Sequence, residues 1–276
     1  MIDISEIATN LAPGEDGIWS SKCRSQISYP EDGNTYCNEI EDRSFWFKHR
    51  NKCIIEVIRL YSPQGTIFEV GGGNGFVSQA IVQLGEDVVL VEPGLSGVRN
   101  AHSRGIKKII CATFQDAGFK PHSLPAVGLF DVLEHIEDAK SFLQTIKGSL
   151  VTNGRLYMTV PAYKFLWSGE DINALHYRRY TCKSLSKLLE SVGFRIDVAT
   201  YIFSVLPFPI FFFRTIPAWL GIRKELDIKK IKKEHYKNRG MITFLLNWML
   251  EKELSRLKSN KIIPFGGSCL VVSTSY

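Results

Sequence analysis

The sequence predicts an α/β protein built on a doubly wound, Rossmann-like sheet. Seven strands are expected, mostly parallel with an antiparallel last strand. An N-terminal helix precedes the sheet, and a helical insert separates its last two strands. Short Val- and Ile-rich runs alternate with helical-period segments between Ile67 and Thr200, the signature of crossover units in a parallel sheet. The cluster Gly71-Gly72-Gly73-Asn74-Gly75 joins the first run to a helix. Glycines are required where the backbone takes positive φ or where a ligand lies against it. The next apolar run ends in an acid, Glu92, about 20 residues beyond the cluster.

Residues 1 to about 40 carry Pro13-Gly14, Asp16-Gly17, Pro30 and Asp32-Gly33-Asn34, turn signals with little periodicity between them. They read as a mostly irregular arm that Trp19, Ile27, Tyr29 and Tyr36 can dock. Glu41 to Tyr61 reads as a helix, opened by Phe45-Trp46-Phe47 and ended by Pro63 and Gly65. Ile67 to Val70 is the first buried strand, and Ser78 to Leu84 the helix that stops at Gly85. Asp87 to Glu92 is the second strand, Val98 to Ser103 a short helix, and Lys107 to Cys111 the third strand. Ala126 to Asp131 is the fourth strand. Glu137 to Leu150 follows as a helix with Ala139, Phe142, Leu143 and Ile146 on one face. Asn153-Gly154 turns into the fifth strand, Arg155 to Val160. Thr181 is a good N-cap for a helix from Lys183 to Ser191, which Gly193 ends. Phe194 to Thr200 is the sixth strand and Gly267 to Ser275 the last. The domain reading is an arm (1–40), a core (41–200), an insert (201–266) and a final strand (267–276).

The insert begins with an apolar stretch, Tyr201 to Leu220, interrupted by Pro207, Pro209, Arg214 and Pro217. That is short of the roughly 18 unbroken apolar residues a membrane span requires. A basic run, Arg223 to Arg239, comes next. Two readings stand for 201–240. It meets a membrane surface or a lipid-linked, phosphate-bearing substrate, or it is a helical subdomain packed over the pocket with a solvated charged face. Met241 to Leu257 closes the insert as an amphipathic helix.

The glycine cluster reads G-x-G-x-G. A dinucleotide fingerprint would place its third glycine at position 76, which is Phe76. The flanking carboxylate of Glu69 suits a cationic ligand group better than a phosphate. Glu69-Val70-Gly71-Gly72-Gly73-Asn74-Gly75 resembles motif I of the class I S-adenosylmethionine-dependent methyltransferases. Asp131-Val132-Leu133-Glu134-His135-Ile136 resembles the segment that leaves their central strand beside the methyl group. His176 to Thr181 resembles a run common in one branch of the family. The chain as a whole resembles the methyltransferase type 11/12, UbiE/UbiG-like branch.

The resemblance implies S-adenosylmethionine as cofactor. Glu69, Gly71, Gly72, Gly73 and Gly75 would lie at its methionine part, and Glu92 with Pro93 at its ribose. Thr113, Phe114 and Gln115 would lie at its adenine, and Asp131 with Val132 beside the methyl group. Many relatives carry an acid where this chain has Thr113; Gln115 or Asp116 can substitute. The implied reaction moves a methyl group to an O or N atom of a small-molecule or lipid- or sugar-linked acceptor. A base helps when the acceptor is a hydroxyl. His135 is the first candidate, with an architectural role as the alternative; His176 and Tyr177 are weaker ones. Substrate contacts are expected from Trp46, His49, Tyr163, Trp167, Tyr177 and Arg178. Arg178 and Arg179 either pair an acidic substrate group or pin their loop through an Asp or Glu.

A net charge of +6 over 276 residues is too mild to imply nucleic acid. The six cysteines show no C-x-x-C pair, so neither a metal site nor a redox motif is indicated, and scattered thiols suit a reducing cytoplasm. The acidic start Met1-Ile2-Asp3-Ile4-Ser5-Glu6 lacks the regions of a signal peptide. The expected location is cytoplasmic, with peripheral contact to the inner face of the membrane through the insert. Two other function classes stay in view: a non-catalytic partner or membrane-docking protein of the same fold, and an NAD(P)-binding oxidoreductase.

Overall fold

The structure is a computed structural model that describes residues 2–14, 16–23, 25, 33–220 and 241–276. Ile27, Tyr29 and Pro30 of the arm, and the basic run 223–239, lie outside the described residues. The strands are β1 (Leu11–Pro13), β2 (Trp19–Ser21), β3 (Ile67–Val70), β4 (Val88–Val91), β5 (Ile109–Cys111), β6 (Leu124–Phe130), β7 (Leu150–Pro161), β8 (Phe194–Ile202) and β9 (Ser268–Ser275). The helices leading to the insert are α1 (Ile4–Ile7), α2 (Gly33–Ile40), α3 (Phe45–Leu60), α4 (Phe76–Leu84), α5 (Leu95–Ser103), α6 (Phe114–Ala117), α7 (Ala139–Ser149), α8 (Gly169–Asn173) and α9 (Cys182–Ser191).

Among the described residues the sheet has nine strands, in the order β1-β2-β5-β4-β3-β6-β7-β9-β8. β3 pairs in parallel with β4 and β6, and β9 runs antiparallel to both β7 and β8. The expected seven strands are β3 to β9; the other two come from the arm. β2 joins the edge of β5 in parallel register, Trp19 opposite Ile110, and β1 folds back on β2. The arm thus covers an edge that would otherwise present unpaired backbone groups. Strands of three residues are too short for a period-two signal, which is why the arm read as irregular. β7 also begins earlier than expected. Leu150 already pairs with Leu124, and the register shifts before Ala126 meets Arg155. Asn153 (φ +63°) therefore sits inside an irregular strand rather than in a turn before it.

Both faces of the central strands are covered, so β4 and β6 are continuous apolar runs. Successive side chains alternate between faces. Ile67, Tyr157 and Val272 join a core with Ile54 and Ile58 of α3, Ile81 of α4 and Leu250 and Leu254 of the helix Met241–Lys258. Their neighbours Phe68, Leu156 and Val271 pack with Phe142 and Ile146 of α7 and Leu185 and Leu189 of α9. The helix expected from Glu41 starts at Phe45, because the Ser44 hydroxyl accepts from the amides of Trp46 (3.2 Å) and Phe47 (3.4 Å).

A buried carboxylate ties the insert to the core. Glu253 Oε1 accepts from His49 Nε2 (2.8 Å) and Phe203 N (2.6 Å), and Oε2 accepts from Ser204 N (2.6 Å). Among the described residues, no helix is long and apolar enough to cross a membrane.

Candidate active site

A cavity of about 1370 Å³ opens at the C-terminal ends of β3 to β6, the end where open α/β sheets bind ligands. A pocket for one small ligand occupies roughly 300–1,000 Å³, so there is room for a cofactor and an acceptor together.

The glycine loop forms one wall. β3 is buried along its whole length, and the chain must turn as soon as it leaves the sheet. Gly71 (φ +68°) and Gly73 (φ +53°) take the left-handed conformation that achieves this. A Cβ at Gly71 would stand 2.7 Å from Val132, and one at Gly73 would stand 3.3 Å from Asn34 Oδ1. Behind the loop Glu69 accepts from the Ser78 hydroxyl. Burial pushes its carboxyl up to about 7, opposed by the Ser78 bond and the Arg50 charge.

Glu92 forms the second wall. Its carboxylate accepts from Gly73 N (2.9 Å), Gly94 N (2.8 Å) and Asn34 Nδ2 (3.3 Å). Burial raises its pKa and those three donors pull it back. A carboxylate has about four acceptor positions, so one remains for a ligand hydroxyl. Asn34 belongs to α2 and is held from the loop side, where Asn74 Nδ2 donates to its carbonyl (2.8 Å) and to Glu41 Oε1 (3.1 Å). The arm therefore contributes to the site as well as to the sheet.

Beyond the glycine loop stands a cluster of charge. Asp131 follows β6 at φ +59°, a left-handed conformation that Asp tolerates better than most residues. It accepts from Thr159 Oγ1 (3.1 Å) and pairs with Arg50. The Arg50 guanidinium lies over the rings of Trp46 (4.9 Å) and Phe47 (5.3 Å). Glu134 is buried beside them, and its Oε2 has no hydrogen-bond partner. Burial first, and the Asp131 charge second, hold its carboxyl well above the usual range.

The loop from Pro161 to Tyr180 closes the far side. Its ends are joined by Tyr163 N to Tyr180 O (2.7 Å) and Tyr180 N to Pro161 O (3.0 Å). Its centre is Asp171, fully buried, which accepts from Ser168 N (2.8 Å), His176 Nδ1 (2.9 Å), Arg179 Nε (2.7 Å) and Arg179 Nη2 (3.0 Å). Burial alone would raise this carboxyl. The bonds from His176 and Arg179 outweigh burial and hold it at about 2. An ionised Asp171 can only accept, so His176 carries its proton on Nδ1 and leaves Nε2 as the basic nitrogen. The His176 ring stands edge-on to His135, centroids 4.7 Å apart.

Most of the expected cofactor residues line this cavity: Glu69, the loop from Gly71 to Gly73, Glu92 and Pro93, the run from Thr113 to Gln115, and Asp131 with Val132. Gly75 does not; it caps α4 and packs against Ala101. Thr113 also caps α6 by accepting from Asp116 N (3.0 Å), and Phe114 packs on Phe119. Asp116 is engaged by Ser25 N (2.9 Å) and Oγ (2.7 Å), whereas Gln115 lines the cavity. His135, His176, Trp46 and Tyr177 line the cavity too.

The other expected substrate residues do not. His49 is spent on Glu253. Tyr163 stacks on Tyr201, centroids 5.1 Å apart. Trp167 lies outside the cavity wall. Arg178 turns outward to donate to Glu137 O. Of the two readings for the arginines, pinning the loop holds for Arg179. Sequence reasoning missed Asn34, Arg50 and Asp171, which the fold brings in from three separate stretches. Their only sequence signal was the Asp171–His176–Arg179 spacing within one polar loop. Ligand-type atoms also converge within 4.8 Å at His49, Cys53 and Glu253 and at Glu134, His135 and His176. The carboxylate of the first group already accepts from two backbone amides and His49.

The parallel sheet, the glycine turn and the second-strand acid together define a nucleoside-cofactor-binding α/β domain. Residues 45–198, more than half of the chain, match the methyltransferase domain family; the chain belongs to that family. The fold is similar to that of a SAM-dependent methyltransferase of Thermotoga maritima described as a possible histamine N-methyltransferase. The two share 16% identity over 90% of this chain and 100% of that one, with a TM-score of 0.56. It is also similar to phosphoethanolamine N-methyltransferase 2 of Haemonchus contortus, solved with phosphomonomethylethanolamine and S-adenosylhomocysteine. There the identity is 15% over 90% of this chain and 58% of that one, with a TM-score of 0.56. No curated protein matches the chain.

The residues present fit S-adenosylmethionine. Gly73 leaves open the space a side chain would fill. Acids at Glu69 and Asp131 and the cation of Arg50 can bracket a zwitterionic amino-acid tail. Glu92 retains acceptor capacity for a ribose.

Proposed function

We propose that this chain transfers a methyl group from S-adenosylmethionine to an O or N atom of a small-molecule acceptor, most simply a lipid- or sugar-linked one. The type 11/12, UbiE/UbiG-like branch is part of the same reading. Bound at the glycine loop, the cofactor supplies a methyl group made electrophilic by its sulfonium. Glu69 and Arg50 fix the amino-acid tail, Glu92 the ribose and Gln115 the adenine edge.

The observation that carries the acceptor reading is the His176–Asp171 pair, 2.9 Å apart at the cavity wall. Asp171 fixes the ring and its tautomer, so Nε2 takes the proton from an acceptor hydroxyl as the new bond forms, or from an acceptor ammonium before the freed amine attacks. His135, edge-on to that ring, limits its rotation. Proximity of donor and acceptor in a water-poor cavity supplies the rest of the rate. The apolar wall formed by Leu206, Pro209, Ile210 and Phe213 suits an acceptor with an apolar part.

The test is release of labelled S-adenosylhomocysteine when the protein meets labelled cofactor and fractionated metabolite and lipid extracts. Transfer of label into an extractable product supports the reading. Tight S-adenosylhomocysteine binding without transfer to any fraction favours a non-catalytic partner of the same fold. NAD binding in its place would overturn both.

A further inference from the structure

The strongest feature that methyl transfer does not use is the outer face of the insert. Its first part is helical from Pro207 to Trp219, with a wide π-type turn at Phe211–Thr215 between two α-helical turns. Pro207 and Thr215 are buried, whereas Phe208, Phe212, Phe213, Trp219 and Leu220 are 59–70% exposed. Phe244 and Trp248 of the helix Met241–Lys258 are 73% and 50% exposed. Soluble monomers seldom present large aromatic side chains in such number on one short segment. The segment is fastened to the site loop by the ion pair Arg214–Glu170. Pro209, Ile210 and Phe213 of this segment also line the cavity at its mouth. The apolar face and the cavity mouth are therefore parts of one surface.

Charge identifies what meets that surface. Between the two apolar stretches, residues 223–239 hold eight Lys or Arg against three Asp or Glu. Five of the chain's six net positive charges fall within these 17 residues. A second copy of the chain would bring the same positive charge against this segment. An anionic bilayer offers complementary charge at its headgroups and an apolar interior for the aromatics beneath them.

We propose that the exposed aromatic face of residues 207–220 docks the protein on an anionic membrane surface, with the cavity mouth facing the lipid, and that the positive charge of the run 223–239 supplies the attraction. An amphiphilic acceptor then enters along the apolar wall without leaving the bilayer. This choice of acceptor rests on the methyltransferase reading; docking itself does not.

The test is flotation of the full chain with phosphatidylcholine vesicles, with and without phosphatidylglycerol. Binding is expected only with phosphatidylglycerol, falling about tenfold or more in high salt as the charges are screened. The variant Phe208→Ser/Phe212→Ser/Trp219→Ser should lose binding, as should Lys229→Glu/Lys230→Glu/Lys232→Glu/Lys233→Glu. Both should keep S-adenosylhomocysteine affinity by calorimetry, which also reports that they fold. The proposal is overturned by absence of binding to either vesicle, by equal binding to both, or by aromatic variants that float like the parent. A dimer in light scattering that the aromatic variant dissolves would assign the face to self-association and overturn it equally. Loss of S-adenosylhomocysteine binding in the parent would instead count against the cofactor reading and leave the flotation result standing.

Discussion

His176 Nδ1 lies 2.9 Å from Asp171 Oδ1, and the same carboxylate is gripped by Nε and Nη2 of Arg179. A base held this way should matter to turnover and little to cofactor affinity. His176→Gln is expected to lower kcat by roughly 10²–10⁴-fold while S-adenosylhomocysteine affinity stays within about twofold. Asp171→Asn should lower kcat as well and shift its pH dependence, because the tautomer is no longer fixed. A His176→Gln enzyme with full turnover would remove the base from this loop.

The carboxyl of Glu69, raised to about 7, makes cofactor binding depend on pH. A carboxyl raised in the fold contributes stability below its unfolded value of 4.5 and loses that contribution as pH climbs through 7. An ammonium in the site favours the ionised form, so ligand affinity runs the opposite way. S-adenosylhomocysteine should bind about tenfold more weakly near pH 5.5 than near pH 7.5. Titration calorimetry on Glu69→Gln should show a flat profile; a slope that survives the substitution assigns the proton elsewhere.

Arg50 pairs with Asp131 and is stacked on Trp46, and its Nε has no partner. If it holds the cofactor's carboxylate, Arg50→Met should weaken S-adenosylhomocysteine about ten- to hundredfold. Methylthioadenosine, which lacks the amino-acid tail, should bind both forms alike. Equal losses for the two ligands would make Arg50 a scaffold residue only.

Gly73 combines φ +53° with a Cβ position that faces Asn34 at 3.3 Å. Gly73→Val forces a branched side chain into a conformation it strongly disfavours and displaces a partner of Glu92. Cofactor binding should vanish while far-ultraviolet circular dichroism is retained. Retained affinity would place the ligand away from this loop.

Removing the carboxylate at Glu253 strands buried His49, the buried amide of Phe203 and the half-buried amide of Ser204. Glu253→Ala should cost about 3–5 kcal/mol, read from the denaturant midpoint at constant m-value. A cost below about 1 kcal/mol would mean that water replaces the bonds.

What the sequence made legible follows from element length and locality. β3, β4 and β6 are buried on both faces, so their runs are apolar except for Glu69. The glycine loop and Glu92 are encoded within a few residues of the strands that aim them. The arm escaped notice because β1 and β2 are three residues each and owe their pairing to the edge of β5. Arg50 and Asn34 were hidden for a related reason. Each sits on a helix whose packing, and not its own pattern, turns it toward the cavity. Tyr163 and Trp167 misled because an aromatic beside a strand end reads the same whether it meets a ligand or a neighbour such as Tyr201. Arg179 and Arg178 are adjacent in the chain, yet only the buried Asp171 separates the strut from the bystander.

The Glu253 bonds have a bearing on how this chain can be altered. The returning helix is clasped to the backbone at the point where the sheet hands the chain over, and to α3 on the way. Excising the returning helix would therefore leave His49 and the amides of Phe203 and Ser204 without their acceptor, and grafting in another would require a replacement clasp. Whatever this lineage selects as its acceptor should change by side-chain drift within the insert, and a wholesale exchange of modules should be rare.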